Sequence, residues 1–111
     1  MNDLKIRGFI REVGENAEKH GFHDATGSPL EYLAMIHSEV SEIVDELRKG
    51  RSPDETYYGP DRKPEGVPTE LADVVLRCFD FAYVYGIDLE GAILEKHSFN
   101  ADRPYLHGRK F

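Results

Sequence analysis

Only one cysteine, Cys78, occurs in the 111 residues, so the chain forms no internal disulfide and reads as a protein of a reducing, cytoplasmic setting. Long apolar runs are missing as well. The first twenty residues are charged, and the expectation is neither a signal peptide nor a membrane span. Positive charge is in deficit: 14 Lys and Arg face 21 Asp and Glu, a formal net charge of −7, which leaves no basic footprint for nucleic acid. The same balance counts against phosphate-rich ligands unless a cation intervenes. No repeat or low-complexity tract is present, and the period-two alternation of strands is absent. His20, His23, His97 and His107 show no metal-ligand spacing.

What is present is helical periodicity in a single domain, 1–111, long enough to bury roughly two-thirds of its extended surface. Four helices are predicted, at about 3–19, 29–49, 68–86 and 88–103. In the first, Phe9, Ile10, Val13 and Ala17 share a face, and Gly21 supplies the stop. Ser28, Pro29 and Glu31 form the capping signature of the second, which Gly50 ends. Gly86 stops the third, Asp88 caps the fourth, and Pro104 closes it. Residues 50–67 read as an unstructured loop, either functional or a tolerated insertion, and 104–111 as a basic tail.

Acids stand three apart twice, Glu39 with Glu42 and Glu70 with Asp73. The second helix alone is an ordinary amphipath: Leu33, Ile36, Val40, Ile43, Val44 and Leu47 share an arc, with the acids at or beside its edge. The third is apolar around almost its whole circumference, and Glu70, Asp73, Arg77 and Asp80 form one stripe on it. Such a helix belongs mid-domain or in a subunit interface, where an unpaired charge costs several kcal/mol. Pairing of Arg77 with Asp73 or Asp80 would still leave Glu70 alone. Carboxylates about 5 Å apart repel by about 3 kcal/mol at an effective dielectric near 20. A divalent cation reverses that sign, and hard oxygen ligands suit Mg²⁺ or Mn²⁺. On the fourth helix Lys96, Asn100 and Arg103 share a face with Leu89, Ala92, Ile93 and Phe99, placed to meet an anion or to pair with a neighbouring acid. Tyr57 and Tyr58 are candidates for stacking on a nucleobase, whereas His37 and Cys78 read as packed core residues.

"EVSE" at 39–42, "ELAD" at 70–73 and "KHSFNADRP" at 96–104 together resemble the MazG-type all-α nucleoside triphosphate pyrophosphohydrolases. "GIDLEGAI" at 86–93 is similar to that family's turn into its last helix, and the likeness spans about residues 28–105. The resemblance implies an all-α bundle of four helices, or five with a short extra one, assembling as a homodimer or tetramer. It also implies Mg²⁺-dependent cleavage of a nucleoside triphosphate, possibly deoxy or non-canonical, to monophosphate and pyrophosphate. Glu39, Glu42, Glu70 and Asp73 would hold metal, Glu39 or Glu42 would activate water, and Lys96, Asn100 and Arg103 would bind substrate. A non-catalytic nucleotide- or partner-binding helical dimer, a phosphoribosyl-ATP hydrolase and a di-iron bundle are the alternatives. The last normally requires Glu-x-x-His pairs, which neither acid pair supplies.

Overall fold

A computed structural model describes residues 5–23 and 27–104. Its helices are α1 (Arg7–Lys19), α2 (Pro29–Arg48), α3 (Val67–Val84) and α4 (Leu89–Ala101). Two short strands, β1 (Tyr57–Tyr58) and β2 (Pro64–Glu65), pair antiparallel between α2 and α3, with Tyr57 opposite Glu65 and Tyr58 opposite Pro64. No helix among the described residues is long and apolar enough to cross a membrane.

The cap signals act where expected. Ser28 accepts from the Glu31 amide and Glu31 accepts from the Ser28 amide, closing the box at the start of α2. Asp88 accepts from the Gly91 amide at 3.1 Å and opens α4. The start of α1 depends on a distant residue instead. Ile6 and Arg7 donate their amides to one oxygen of Glu90, at 2.7 and 3.0 Å, and the Arg7 side chain grips Glu90 and Asp88. A carboxylate from α4 thus satisfies orphan amides at the head of α1. The helix begins at Arg7 rather than near residue 3, the expected start lying among residues outside the description.

α3 is the central element and packs against both α1 and α2. On the α1 side, Ile10, Gly14 and Ala17 are buried at helical spacing. A Cβ on Gly14 would overlap the Tyr83 ring, so the missing side chain is what lets the two helices approach. On the α2 side the stripe facing α3 is Tyr32, Ile36, Glu39, Ile43 and Glu46, of which Glu39 and Glu46 are buried. Much of the expected apolar arc points elsewhere: Leu33, Val40, Val44 and Leu47 are exposed. α2 therefore carries two stripes, and its own chain covers the one that contains acids.

Two expectations are corrected. The four helices do not form a closed bundle, because α4 packs extensively on none of the others and is joined mainly through its first turn. Its stripe of Ala92, Ile93 and Phe99 does not face the core of this chain but stands exposed. Nor is 50–67 structureless. The strand pair is docked on α2 by the Tyr57 hydroxyl, which donates to Glu46 at 2.8 Å, while the Arg51 guanidinium lies 3.7 Å over the Tyr57 ring and binds Glu55 at 2.8 Å. At its far end Gly66 has φ 115°, and a Cβ there would overlap the Glu55 carbonyl. Two-residue strands are too short to show alternation, which is why periodicity missed them.

Candidate metal centre

The helical register of α2 and α3 brings acids of both to one place. Glu39, Glu70 and Asp73 each offer a carboxylate oxygen, and these oxygens lie within 4.8 Å of one another. Glu39 is buried, and the other two are half-buried. Arg77 supplies the nearest compensation: its Nε donates to Glu39 at 2.9 Å, across the helix pair rather than along its own helix. The Arg77 side chain therefore bonds Glu39 rather than Asp73 or Asp80, the two partners its own helix offered. Among the described residues Glu70 makes no ion pair or hydrogen bond with its side chain.

Glu42 lies beside the trio rather than in it. Its side chain is exposed, yet its charge bears on Glu70. Burial, then the charges of Glu42, Asp73, Glu39 and Glu46, push the Glu70 carboxyl above its ordinary range. Burial and the Glu39 charge raise Asp73 likewise, with Arg77 and Lys63 acting in the opposite direction. Glu46 itself is occupied by the Tyr57 hydroxyl. The donor set is all carboxylate oxygen, with neither thiol nor imidazole, which fits a hard divalent cation such as Mg²⁺ or Mn²⁺.

Asp73, alone of the trio, lines a cleft of about 750 Å³ between α1 and α2, floored by α3. Asn16, Tyr32 and Met35 line it together with Asp73, Arg77 and Asp80. His23 binds Asp80 at 2.9 Å and stacks on Tyr83, a pairing that the histidine spacing did not suggest. His37 is exposed rather than packed, and the half-buried Cys78 thiol is pushed up by burial. Tyr57 serves the hairpin and Tyr58 is exposed. Lys96, Asn100 and Arg103 are exposed on or just beyond α4, with Lys96 and Arg103 lying over the Phe99 ring. Their helix does not pack extensively on the acid-bearing pair. His107 and the tail from 105 lie outside the described residues.

These shifts fix a pH dependence. Glu70 and Asp73 hold protons more tightly folded than unfolded, so their ionisation removes stability as pH rises from the ordinary carboxylate range through their raised values. Bonds from Arg51 to Glu55, from Arg7 to Asp88 and from the Arg7 amide to Glu90 lower those three pKa values, and that contribution is lost only at more acid pH. The metal-free protein is expected to melt higher near about pH 5 than near about pH 8. Added Mg²⁺ is expected to raise the melting temperature at the higher pH and much less at the lower, because protons compete for the same oxygens. Scanning calorimetry with and without Mg²⁺ at both pH values checks this; a response independent of pH would remove Glu70 and Asp73 from the metal site. The chain matches no family profile, no curated protein and no solved structure.

Proposed function

We propose that the protein is a Mg²⁺-dependent nucleoside triphosphate pyrophosphohydrolase that cleaves between the α and β phosphates. The observation that carries the reading is the convergence of Glu39, Glu70 and Asp73 from two helices, with one arginine to offset three carboxylates. Such a cluster is self-repelling when ionised and empty, and a divalent cation with an anionic substrate resolves it. The ordered motifs at 39–42, 70–73 and 96–104, with their likeness to MazG-type enzymes, supply the reaction class.

Glu39, Glu70 and Asp73 would hold the ion, and Arg77 keeps Glu39 aimed at it. A bound Mg²⁺ or Mn²⁺ would neutralise phosphate charge and favour attack by water. Glu42, exposed and free of the Arg77 bond that engages Glu39, would take the proton of that water. Water oxygen bonds to the α phosphorus, the bond from that phosphorus to the bridging oxygen breaks, and pyrophosphate leaves with the electron pair.

Lys96, Asn100 and Arg103 enter this scheme from a second copy of the chain. Within one protomer α4 does not pack extensively on the acid helices. The exposed stripe Leu33, Val40, Val44 and Leu47, with Leu71 and Val75 of α3, supports a homodimer or tetramer. So do an accessible surface of 8554 Å², against roughly 6,200 Å² for a compact monomer of this mass, and a radius of gyration of 16.7 Å, against about 13 Å.

A screen of canonical and modified nucleoside triphosphates for pyrophosphate release, with and without Mg²⁺, tests the reading on protein whose mass in solution is read by light scattering. Metal-dependent release from an oligomer is expected. Tight triphosphate binding without turnover by any nucleotide would favour a binding module instead.

A further inference from the structure

One member of the charged stripe on α3, Asp80, takes no part in the chemistry proposed above. It stands two helical turns beyond Asp73, about 10 Å along the same face, and both carboxylates line the cleft of about 750 Å³. Most of the remaining wall is apolar: Val13 and Ala17 of α1, Tyr32 and Met35 of α2, and Leu76 of α3. A concavity of this size, apolar with a few converging polar groups, has the form of a small-molecule site. At its Asp73 end lies the carboxylate cluster, where the proposed reaction holds the phosphates. The rest of a nucleotide then extends along α3. The run from Asp73 to Asp80 is close to the reach from an α phosphate to the far edge of its base.

Asp80 is held in place by the protein itself. His23 Nε2 donates to its two oxygens, at 2.9 and 3.2 Å, and the His23 ring stacks on Tyr83. The Asp80 and His23 side chains keep only 13% and 19% of their exposure, so water competes weakly for them. Among the described residues the Asp80 oxygens have no hydrogen-bond partner besides that single nitrogen. A carboxylate offers about four lone-pair sites and no donor, so acceptor capacity is left over on a residue that lines the cleft. A ligand group beside it must supply an N–H, because a carbonyl oxygen there would set lone pairs against a negative charge. Base edges differ in this respect: cytosine N4 and adenine N6 are donors, whereas thymine O4 and guanine O6 are acceptors. We infer that Asp80 selects the base, accepting a hydrogen bond from the exocyclic amino group of cytosine or adenine and disfavouring nucleotides that carry oxygen at that position. His23 is its positioning residue. The inference deepens the hydrolase reading above and rests on it for the placement of the phosphates.

The experiment measures kcat/KM for pyrophosphate release with Mg²⁺ in two pairs where oxygen replaces the amino group, CTP against UTP and ATP against ITP. Wild type and Asp80→Asn are compared, and binding of CMP and UMP without metal is followed by NMR titration on both. In wild type the amino member of each pair is expected to be favoured by about 10- to 100-fold, the scale of one hydrogen bond to a charged group. Asp80→Asn can turn an amide N–H toward an oxygen, so its ratios should fall toward parity, with UTP and ITP gaining. Each ratio is read within one protein, so any loss of folded fraction cancels. Wild-type ratios near one overturn the inference and leave the hydrolase reading standing. A preference that Asp80→Asn retains overturns it too, since Asp80 then only ties His23 to α3. If wild type releases no pyrophosphate yet binds CMP over UMP, and Asp80→Asn loses that preference, the base contact stands and the hydrolase reading falls. Absence of both turnover and monophosphate binding overturns both.

Discussion

Glu42→Gln is expected to lower kcat for pyrophosphate release by about 10²- to 10⁴-fold, the range for loss of a positioned general base, and to leave the Mg²⁺ stabilisation in place. Asp73→Asn is expected to abolish both. The difference follows from position. Asp73 is one of three carboxylates whose oxygens lie within 4.8 Å of one another, whereas Glu42 is exposed beside them. Asp73→Asn carries a second signature that separates a metal site from a structural one. At this spacing each carboxylate pair repels by roughly 3 kcal/mol at an effective dielectric near 20, less where solvent screens it. Removing one charge should therefore make the metal-free protein more stable at neutral pH while it loses its response to Mg²⁺. Calorimetry and turnover on the two variants decide the matter. Full kcat in Glu42→Gln would strip that residue of its role, and a retained Mg²⁺ shift in Asp73→Asn would dissolve the metal site.

The largest loss of stability is expected at Gly14. Alanine in a helix normally gains about 1 kcal/mol over glycine. Here the added Cβ would overlap the Tyr83 ring, and neither partner has an easy retreat. The ring stacks on His23, its hydroxyl donates to Glu18 at 3.2 Å, and Gly14 is buried between Ile10 and Ala17. Gly14→Ala is expected to destabilise by about 1–3 kcal/mol, as overpacking does. That corresponds to a melting temperature lower by about 4–8 °C per kcal/mol. Gly14→Ala combined with Tyr83→Leu should recover part of the loss. A melting temperature raised by Gly14→Ala alone would mean that propensity governs the site and the close approach of α1 to α3 does not exist.

Helix positions are legible in the sequence wherever a local signal sets them. Ser28 with Glu31, and Asp88, are caps whose partners lie within three residues, so the chain announces them without tertiary knowledge. The acid pairs are legible for a related reason: residues three apart share a face whatever surrounds the helix. What the sequence hides is the choice of partner. α2 carries two stripes, and hydrophobicity alone favours the one with Val40, Val44 and Leu47, whereas its own chain covers the one with Glu39 and Glu46. The heptad-like spacing of Tyr32, Ile36, Glu39, Ile43 and Glu46 is the available signal. Arg77 falls on the expected stripe of α3 but pairs outside it, because an inter-helix bond to Glu39 depends on how α2 and α3 cross.

The remaining gaps have similar causes. The hairpin rests on Tyr57 reaching Glu46 and on left-handed backbone at Asp61 and Arg62, residues that do not advertise it as glycine would. No local pattern marks the start of α1 either, since its cap, Glu90, is 83 residues away from Arg7.

That same carboxylate has a mechanical consequence. α4 has 13 residues, about 20 Å of rigid rod, anchored near its head where Glu90 holds Ile6 and Arg7. A tilt of about 10° at that fulcrum carries the far end, with Asn100, through about 3 Å, while the head barely moves. The reach of Lys96 and Asn100 is thus geared to a joint at the opposite end of the rod, and a small torque on the first turn of α1 is amplified at its tip.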